Sequence, residues 1–194
     1  ENELCYIETK GTKLLAEVIK VNADKASVQV FESTRGLKGG DKVEFLGRML
    51  EASLGPGLLS SVYDGLQNDL TTMTDVFLKR GEYTDPLDHE KMWDFTPLAE
   101  VGDKVQAASW LGEVKEGWLP HKIMVPFRFN GEYTIKSIVE AGSYNIDHVI
   151  AVLTDEEGED VNVTMVQKWP VKVAVKGYKE KPRPQKIMET GVRV

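Results

Sequence analysis

The chain has 194 residues, of which 41% are hydrophobic and 28% are charged, a composition typical of one or two soluble globular domains. Its net charge of −7 and its pI near 5.1 argue against a nucleic-acid partner, because such partners usually require a basic face. No apolar run approaches the ~20 residues that span a bilayer, so no direct membrane contact is expected and any membrane link would pass through partners.

The start of the chain and its single cysteine bear on processing and compartment. The sequence begins at Glu1 without an initiator methionine or a signal peptide, which indicates a processed or cut chain. Cys5 is the one cysteine, so it cannot form an internal disulfide, and this usage fits a reducing compartment. We interpret Cys5 as a buried or incidental thiol, with a reactive nucleophile as the alternative.

The first part of the chain predicts a small β-barrel. Residues 14–21 and 26–32 are rich in valine and isoleucine and are typical of two short strands, joined by a hairpin turn. A glycine-rich turn over residues 36–41 leads into a further strand that contains Val43 and Phe45. Several short strands within ~45 residues favour a small barrel.

Residues 54–67 are predicted to connect two domains. Gly55, Pro56 and Gly57 predict a turn, since proline fixes φ and glycine adopts backbone angles closed to other residues. A helix of roughly two to three turns is predicted next. Its apolar face would consist of Leu58, Leu59, Val62, Tyr63 and Leu66. A helix this short is not stable alone in water, so we expect its apolar face to dock on a larger body.

Residues 71–96 lack a clear period and are predicted to form a polar loop. The loop carries an acidic cluster with one histidine, made up of Asp85, Asp88, His89, Glu90 and Asp94. Carboxylates and imidazole bind metals, but this spacing matches no known ligand pattern. We therefore interpret the cluster as a solvated surface, with a metal site as the alternative. The aromatic pair Trp93 and Phe95 is predicted to pack onto the next domain.

A second β-rich region is predicted from Gly102 onwards. Its opening Gly-Asp-Lys-Val sequence repeats that of residues 40–43, which we attribute to shared turn chemistry. Glycine-containing turns separate the predicted strands of this region, which cover residues 110–114, 122–125, 133–138, 146–153 and 161–166. The region should therefore form a second all-β unit.

Lys122 and two histidines are the candidate chemical groups of this second unit. Lys122, followed by Met124, resembles the lysine of biotinyl and lipoyl carrier domains, although biotin carriers have methionine on both sides of that lysine. A carrier function that uses Lys122 is kept as an alternative. His121 and His148 could form a catalytic or ligand pair, but neither has a patterned carboxylate or nucleophile nearby. We interpret both as hydrogen-bonded structural residues.

Four motifs, in order, resemble the catalytic A subunits of V-type and archaeal-type rotary ATPases. They are Gly-Leu-Lys-Gly-Gly-Asp from Gly36, Leu-Gly-Pro-Gly-Leu-Leu from Leu54, Trp-Leu-Pro-His-Lys-Ile-Met-Val-Pro from Trp118 and Met-Val-Gln-Lys-Trp-Pro from Met165. The resemblance covers essentially the whole chain. It departs from the family at Met49, where proline usually follows Gly-Arg, and over residues 173–177.

The resemblance implies a mainly β chain with four segments. Residues 1–48 would be the N-terminal crown barrel, 49–72 a connector helix at the edge of the nucleotide-binding domain, and 73–166 an inserted, carrier-like barrel without a carrier function. Residues 167–194 would be a return segment that begins an incomplete α/β nucleotide-binding domain.

In the complete subunit, the resemblance implies ATP hydrolysis or synthesis, with ATP or ADP and magnesium, coupled to proton or sodium transport. B subunits of the head ring and peripheral-stalk subunits would be partners, on the cytoplasmic side and peripheral to the membrane. The phosphate-binding run Gly-x-x-x-x-Gly-Lys-Ser/Thr does not occur in the 194 residues. No residue is therefore assigned a catalytic, cofactor-binding or metal-binding role, and we expect a structural, inactive fragment. A stand-alone β-rich binding module is a further alternative.

Overall fold

A computed structural model describes residues 1–59, 61–71, 80–175, 180 and 182–186. The described part of the chain consists of strands, turns and loops, which confirms the mainly β prediction, and it contains no helix that could cross a membrane. The strands are β1 (Glu3–Thr9), β2 (Thr12–Asn22), β3 (Lys25–Val30), β4 (Lys42–Met49), β5 (Glu51–Leu54), β6 (Met92–Pro97), β7 (Lys104–Val105), β8 (Trp110–Glu116), β9 (Leu119–Met124), β10 (Tyr133–Ile138), β11 (Gly142–Asn145), β12 (Ala151–Thr154), β13 (Asp160–Val163) and β14 (Gln167–Pro170).

The first four strands form one antiparallel sheet, the first sheet, in the order β3-β2-β1-β4. The strands predicted at residues 14–21 and 26–32 correspond to β2 and β3. Cys5 pairs with Ala16 on β2 and with Phe45 on β4, and directly paired residues point to the same side of a sheet. The buried core on that side consists of Cys5, Ile7 and Ala16.

Eight strands from β6 to β13 form a second unit, a sandwich of two four-stranded sheets. The sheet orders are β11-β6-β8-β9 and β13-β12-β10-β7. One hydrophobic core joins the two sheets, and its fully buried side chains include Phe95, Leu111 and Val114 from the first of these sheets and Ile135, Leu153 and Val163 from the second. The prediction of a second all-β unit is confirmed.

Two stretches of the sandwich differ from their prediction. β6 lies in the segment predicted as a polar loop, and its buried Trp93 and Phe95 alternate with exposed neighbours. These two side chains pack into the sandwich core as members of a strand. The strand predicted over residues 146–153 is wrong in its first half, because Ile146 and Ile150 are fully buried in a turn and a loop. A buried loop and a buried strand show similar apolar runs.

The predicted connector helix is wrong. The described residues of the 54–67 stretch form turns, irregular chain and an isolated β-bridge at Tyr63. Gly57 has a φ of 111°, which fits the turn predicted at residues 55–57. Backbone amides in this stretch donate to the side-chain carboxylates of Glu116 and Asp64. A segment this short does not overcome the nucleation penalty of a helix when side-chain acceptors compete for its amides.

Strands β5 and β14 pair with each other; β5 follows the last strand of the first sheet, and β14 follows the last strand of the sandwich. Trp169 of β14 packs edge-on against Phe127, with 5.7 Å between the ring centroids. The segment that leaves the first sheet and the segment that leaves the sandwich therefore run side by side. Of the return segment predicted over residues 167–194 to begin an α/β domain, residues 176–179, 181 and 187–194 lie outside the described part of the chain.

Gly112 provides a test of the sandwich packing. A Cβ atom at this position would overlap the Phe95 ring and lie 2.7 Å from the carbonyl oxygen of Thr96. Because Phe95 is fully buried, we expect Gly112→Ala to lower the free energy of unfolding by about 1–3 kcal/mol, measured by urea unfolding. Gly39→Ala is the matched control, since a Cβ at Gly39 meets no atom within 4 Å. Equal unfolding midpoints for the two variants would contradict this packing.

Candidate functional site

Glu116, the last residue of β8, attaches the Gly-Pro-Gly turn to the sandwich. Its Oε1 accepts hydrogen bonds from the amide of Gly57 at 2.7 Å and from the amide of Leu59 at 3.0 Å. Its Oε2 lies 2.6 Å from Nδ1 of His121. The side chain is only 6% exposed, and a buried carboxylate requires such donors. These three contacts fix the turn against the β8–β9 hairpin.

The two histidines of the sandwich have different partners, and the structure does not pair them. His121 contacts Glu116, whereas the His148 ring stacks on Tyr144 with 4.6 Å between centroids. The expectation that no carboxylate accompanies His121 is wrong, because the hairpin turn folds β9 back along β8 and brings Glu116 beside the ring. Both histidines have structural contacts, and neither is arranged for catalysis with the other.

A second attachment joins the segment after residue 80 to the first sheet. The Tyr83 hydroxyl accepts a hydrogen bond from the amide of Leu15 at 2.9 Å and donates one to Oε1 of Glu32 at 2.6 Å. The other oxygen of Glu32 accepts from the amide of Gly81 at 2.8 Å. Burial, followed by the hydrogen bond to Glu32, raises the pKa of Tyr83 well above its ordinary value, so this hydroxyl stays protonated.

A third attachment joins the segment after β14 to the first sheet. Nζ of Lys172 lies 2.6 Å from Oε1 of Glu17 and 3.2 Å from Oδ1 of Asn2. Glu17 is in β2, and its side chain is 8% exposed. No sequence pattern pointed to Glu17, Glu32 or Glu116, because each of these carboxylates binds a residue that is distant along the chain.

The structure divides the predicted acidic cluster among different roles. His89 contacts Asp85 of its own loop and Asp147, which lies in the turn after β11. Asp88 accepts hydrogen bonds from backbone amides of its own loop, and Asp94 is exposed on β6. Within the described ranges, no group of three or more His, Cys, Asp and Glu side chains is arranged to hold a metal ion.

Lys122 does not occupy the position of a carrier lysine. It lies inside β9, directly opposite Glu113 of β8, and its ammonium forms an ion pair with that carboxylate. Nζ also lies 5.0 Å from the centroid of the Trp110 ring. The hairpin turn itself is at Gly117 and Trp118. Because a carrier lysine projects from such a turn, this geometry does not support the carrier alternative.

Cys5 is fully buried in the first sheet. Burial, followed by the negative charge of Glu3, raises the pKa of its thiol, so the nucleophilic thiolate is disfavoured. The interpretation of Cys5 as a buried thiol is confirmed.

The edge strand β4 carries an exposed apolar face. Phe45 is paired with Cys5 and Val43 with Ile7, so both side chains continue the core side of the first sheet. Phe45 is 53% exposed and Val43 is 46% exposed. Among the described strands, β4 pairs with β1 alone. Large apolar side chains beside an open sheet edge are typical of an interface.

Both β units match known protein families. Residues 1–47 match the profile described as "ATP synthase alpha/beta family, beta-barrel domain". Residues 84–172 match the profile described as "ATPsynthase alpha/beta subunit barrel-sandwich domain". The first range contains the first sheet apart from the end of β4, and the second contains the whole sandwich.

Curated relatives match the chain from end to end. The V-type ATP synthase alpha chain of Treponema denticola is 46% identical over 195 residues, and that of Protochlamydia amoebophila is 44% identical over 197 residues. The corresponding protein of Borrelia garinii is 45% identical over 196 residues. These alignments include 99–100% of this chain but 33–34% of each relative. The chain therefore spans about a third of the length of the curated relatives that it matches.

Removal of the Glu116 carboxylate tests its attachment to the turn. Glu116→Ala leaves the amides of Gly57 and Leu59 without their acceptor, so we expect the free energy of unfolding to fall by about 1–3 kcal/mol. Hydrogen exchange at these two amides should become faster. Glu140→Ala is the control, because the Glu140 side chain is exposed and makes no hydrogen bond to a described residue. Unchanged exchange at Gly57 and Leu59 in Glu116→Ala would contradict the attachment.

Proposed function

We propose, on the premise that this chain belongs to the ATP synthase alpha/beta family, that it is the N-terminal portion of the catalytic alpha (A) subunit of a V-type ATP synthase. The end-to-end match to V-type ATP synthase alpha chains is the observation that carries this proposal. The complete subunit would hydrolyse or synthesise ATP, with magnesium, and would couple that reaction to proton or sodium transport.

Within that subunit, this portion has a structural role. The carboxylates of Glu17, Glu32 and Glu116 bind backbone amides, a tyrosine hydroxyl, a histidine ring and a lysine of the same chain, and so hold connecting segments in place. The sequence does not contain the phosphate-binding run that would cradle ATP. Residues 1–48 would form the crown barrel and residues 73–166 the inserted domain, with ATP bound by other parts of the subunit.

The exposed surfaces support two kinds of partner. Val43 and Phe45 on the edge strand β4 would meet a neighbouring B subunit in the head ring, because this face extends an apolar core into solvent. The sandwich would reach outward to a peripheral-stalk subunit, and Trp118, which is 88% exposed at the β8–β9 turn, supports such a contact. The assembled subunit would lie on the cytoplasmic side, peripheral to the membrane.

Calorimetric titration with magnesium and ATP tests whether the 194-residue chain itself binds the nucleotide. We expect the 194-residue chain to show no binding at concentrations on the order of micromolar, because no loop in its sequence has the amides and lysine that hold phosphates. A chain of the relatives' full length is the positive control under the same conditions. Magnesium-dependent binding of ATP by the 194-residue chain would contradict the proposed structural role.

Substitution of the apolar edge tests the proposed head-ring contact. In the full-length subunit coexpressed with its B subunit, Val43→Thr combined with Phe45→Thr should weaken assembly about tenfold, because the apolar contact is lost while β propensity is kept. Complex formation is measured by size-exclusion chromatography over a dilution series. Val101→Thr is the matched control, since Val101 is 64% exposed on the sandwich. An equal effect of both changes would argue against a specific contact at β4.

A further inference from the structure

His89 lies between two carboxylates that belong to different parts of the fold. Its Nδ1 is 2.6 Å from Oδ2 of Asp147, and its Nε2 is 3.1 Å from Oδ2 of Asp85. Asp85 is in the same loop as His89, whereas Asp147 is in the turn that follows β11 of the sandwich. The imidazole therefore bridges the loop and the sandwich.

The charged imidazolium is the form of His89 that satisfies both contacts. An ionised carboxylate accepts hydrogen bonds and donates none, so each ring nitrogen must carry a proton to bond its aspartate. Neutral imidazole has a single N–H and would leave one nitrogen lone pair facing a carboxylate oxygen. The hydrogen bond to Asp147 raises the pKa of His89 and outweighs the opposing effect of partial burial, and Asp85 raises the pKa further.

The sandwich side of this bridge, at Asp147, has more contacts to the core than the loop side, at residues 88–91. Asp147 sits next to Ile146, which is fully buried and whose carbonyl accepts a hydrogen bond from the amide of Met165. On the loop side, Leu87 is buried in the sandwich core, but the carboxylate of Asp88 bonds only to amides within its own loop among the described residues. His89 therefore attaches residues 88–91, which lead directly into β6, to a fixed point on the sandwich.

Other charged groups lie near His89, but Asp85 and Asp147 are the two that contact its ring. A cleft of about 440 Å³ beside His89 is also lined by Glu51 of β5, Lys168 of β14 and Arg128. Oε2 of Glu51 lies 3.9 Å from a guanidinium nitrogen of Arg48, and the Arg128 guanidinium lies near the ring of Phe129. The loop itself adds Asp88, Glu90 and Lys91, and Lys91 lies over Trp93. The charges that act on the His89 ring are those of Asp85 and Asp147.

We propose that Asp85, His89 and Asp147 form a pH-sensitive latch, in which the His89 imidazolium fastens residues 88–91 to the sandwich and deprotonation releases them. The latch does not depend on the assembly role proposed above. Because folding raises the pKa of His89, the stabilisation is fully present below the unfolded value of about 6.5 and is lost as the pH rises through the folded value. Acidification therefore closes the latch and alkalinisation opens it.

NMR titration of the His89 ring in the 194-residue chain tests the charge pairing. Asp147→Asn and Asp85→Asn should each lower the titration midpoint of His89, because each removes one carboxylate partner. Glu90→Gln is the matched control, since it removes a charge from the same loop and the Glu90 carboxylate makes no ion pair to a described residue. A midpoint that Asp147→Asn leaves unchanged, or that Glu90→Gln lowers equally, would overturn the proposal.

Hydrogen exchange of residues 88–91 tests the release. At about pH 6, His89→Gln should exchange about two- to fivefold faster than the unmodified chain, and at about pH 9.5 the two should exchange at the same rate. Comparison at matched pH removes the intrinsic pH dependence of exchange. The side chains of His89, Asp85 and Asp147 are 42%, 62% and 59% exposed, so these substitutions leave the core intact. A ratio of rates that does not change with pH would overturn the latch.

Discussion

The contact between the Glu116 carboxylate and the Gly-Pro-Gly turn determines how the first sheet connects to the sandwich. A carboxylate that is 6% exposed is stable only when its oxygens are fully bonded, and here Gly57, Leu59 and His121 supply the donors. Farther along the same stretch, the carboxylate of Asp64 accepts a hydrogen bond from the amide of Leu66, which a helix would have bonded internally. The chain therefore leaves β5 as a series of turns, pressed against the β8–β9 hairpin.

Carboxylates perform this task at three places in the fold, and those of Glu116 and Glu17 are buried. Glu32 accepts hydrogen bonds from the Tyr83 hydroxyl and from the amide of Gly81. Glu17 accepts one from Lys172, a residue 155 positions away in the chain. Hydrogen bonds to a charged acceptor are short and directional, so they can fix a segment that has no strand ladder of its own. The two β units are consequently held by polar attachments along their connecting segments as well as by the β5–β14 ribbon.

This construction suits a portion of a larger assembly. The chain matches V-type ATP synthase alpha chains from end to end but spans a third of their length. It leaves apolar side chains, Val43 and Phe45, exposed beside a sheet edge that no described strand covers. In the role proposed above, these apolar side chains would contact another subunit, and other parts of the complete subunit would bind ATP.

The sequence alone determined the local features: the runs rich in valine and isoleucine that form β2 and β3, the all-β character of both units, and the ordered motifs that resemble rotary-ATPase A subunits. Where those patterns were ambiguous, contacts in the tertiary structure determined the conformation of the segment and the partners of its polar groups. Residues 58–66 have helical spacing, yet Glu116, from a strand nearly 60 residues away, binds the amides of Gly57 and Leu59 where the helix would begin. His89 likewise meets Asp147 at a sequence separation of 58. Periodicity reports which face of a segment is apolar, and distant partners compete for its polar groups only once the chain has folded.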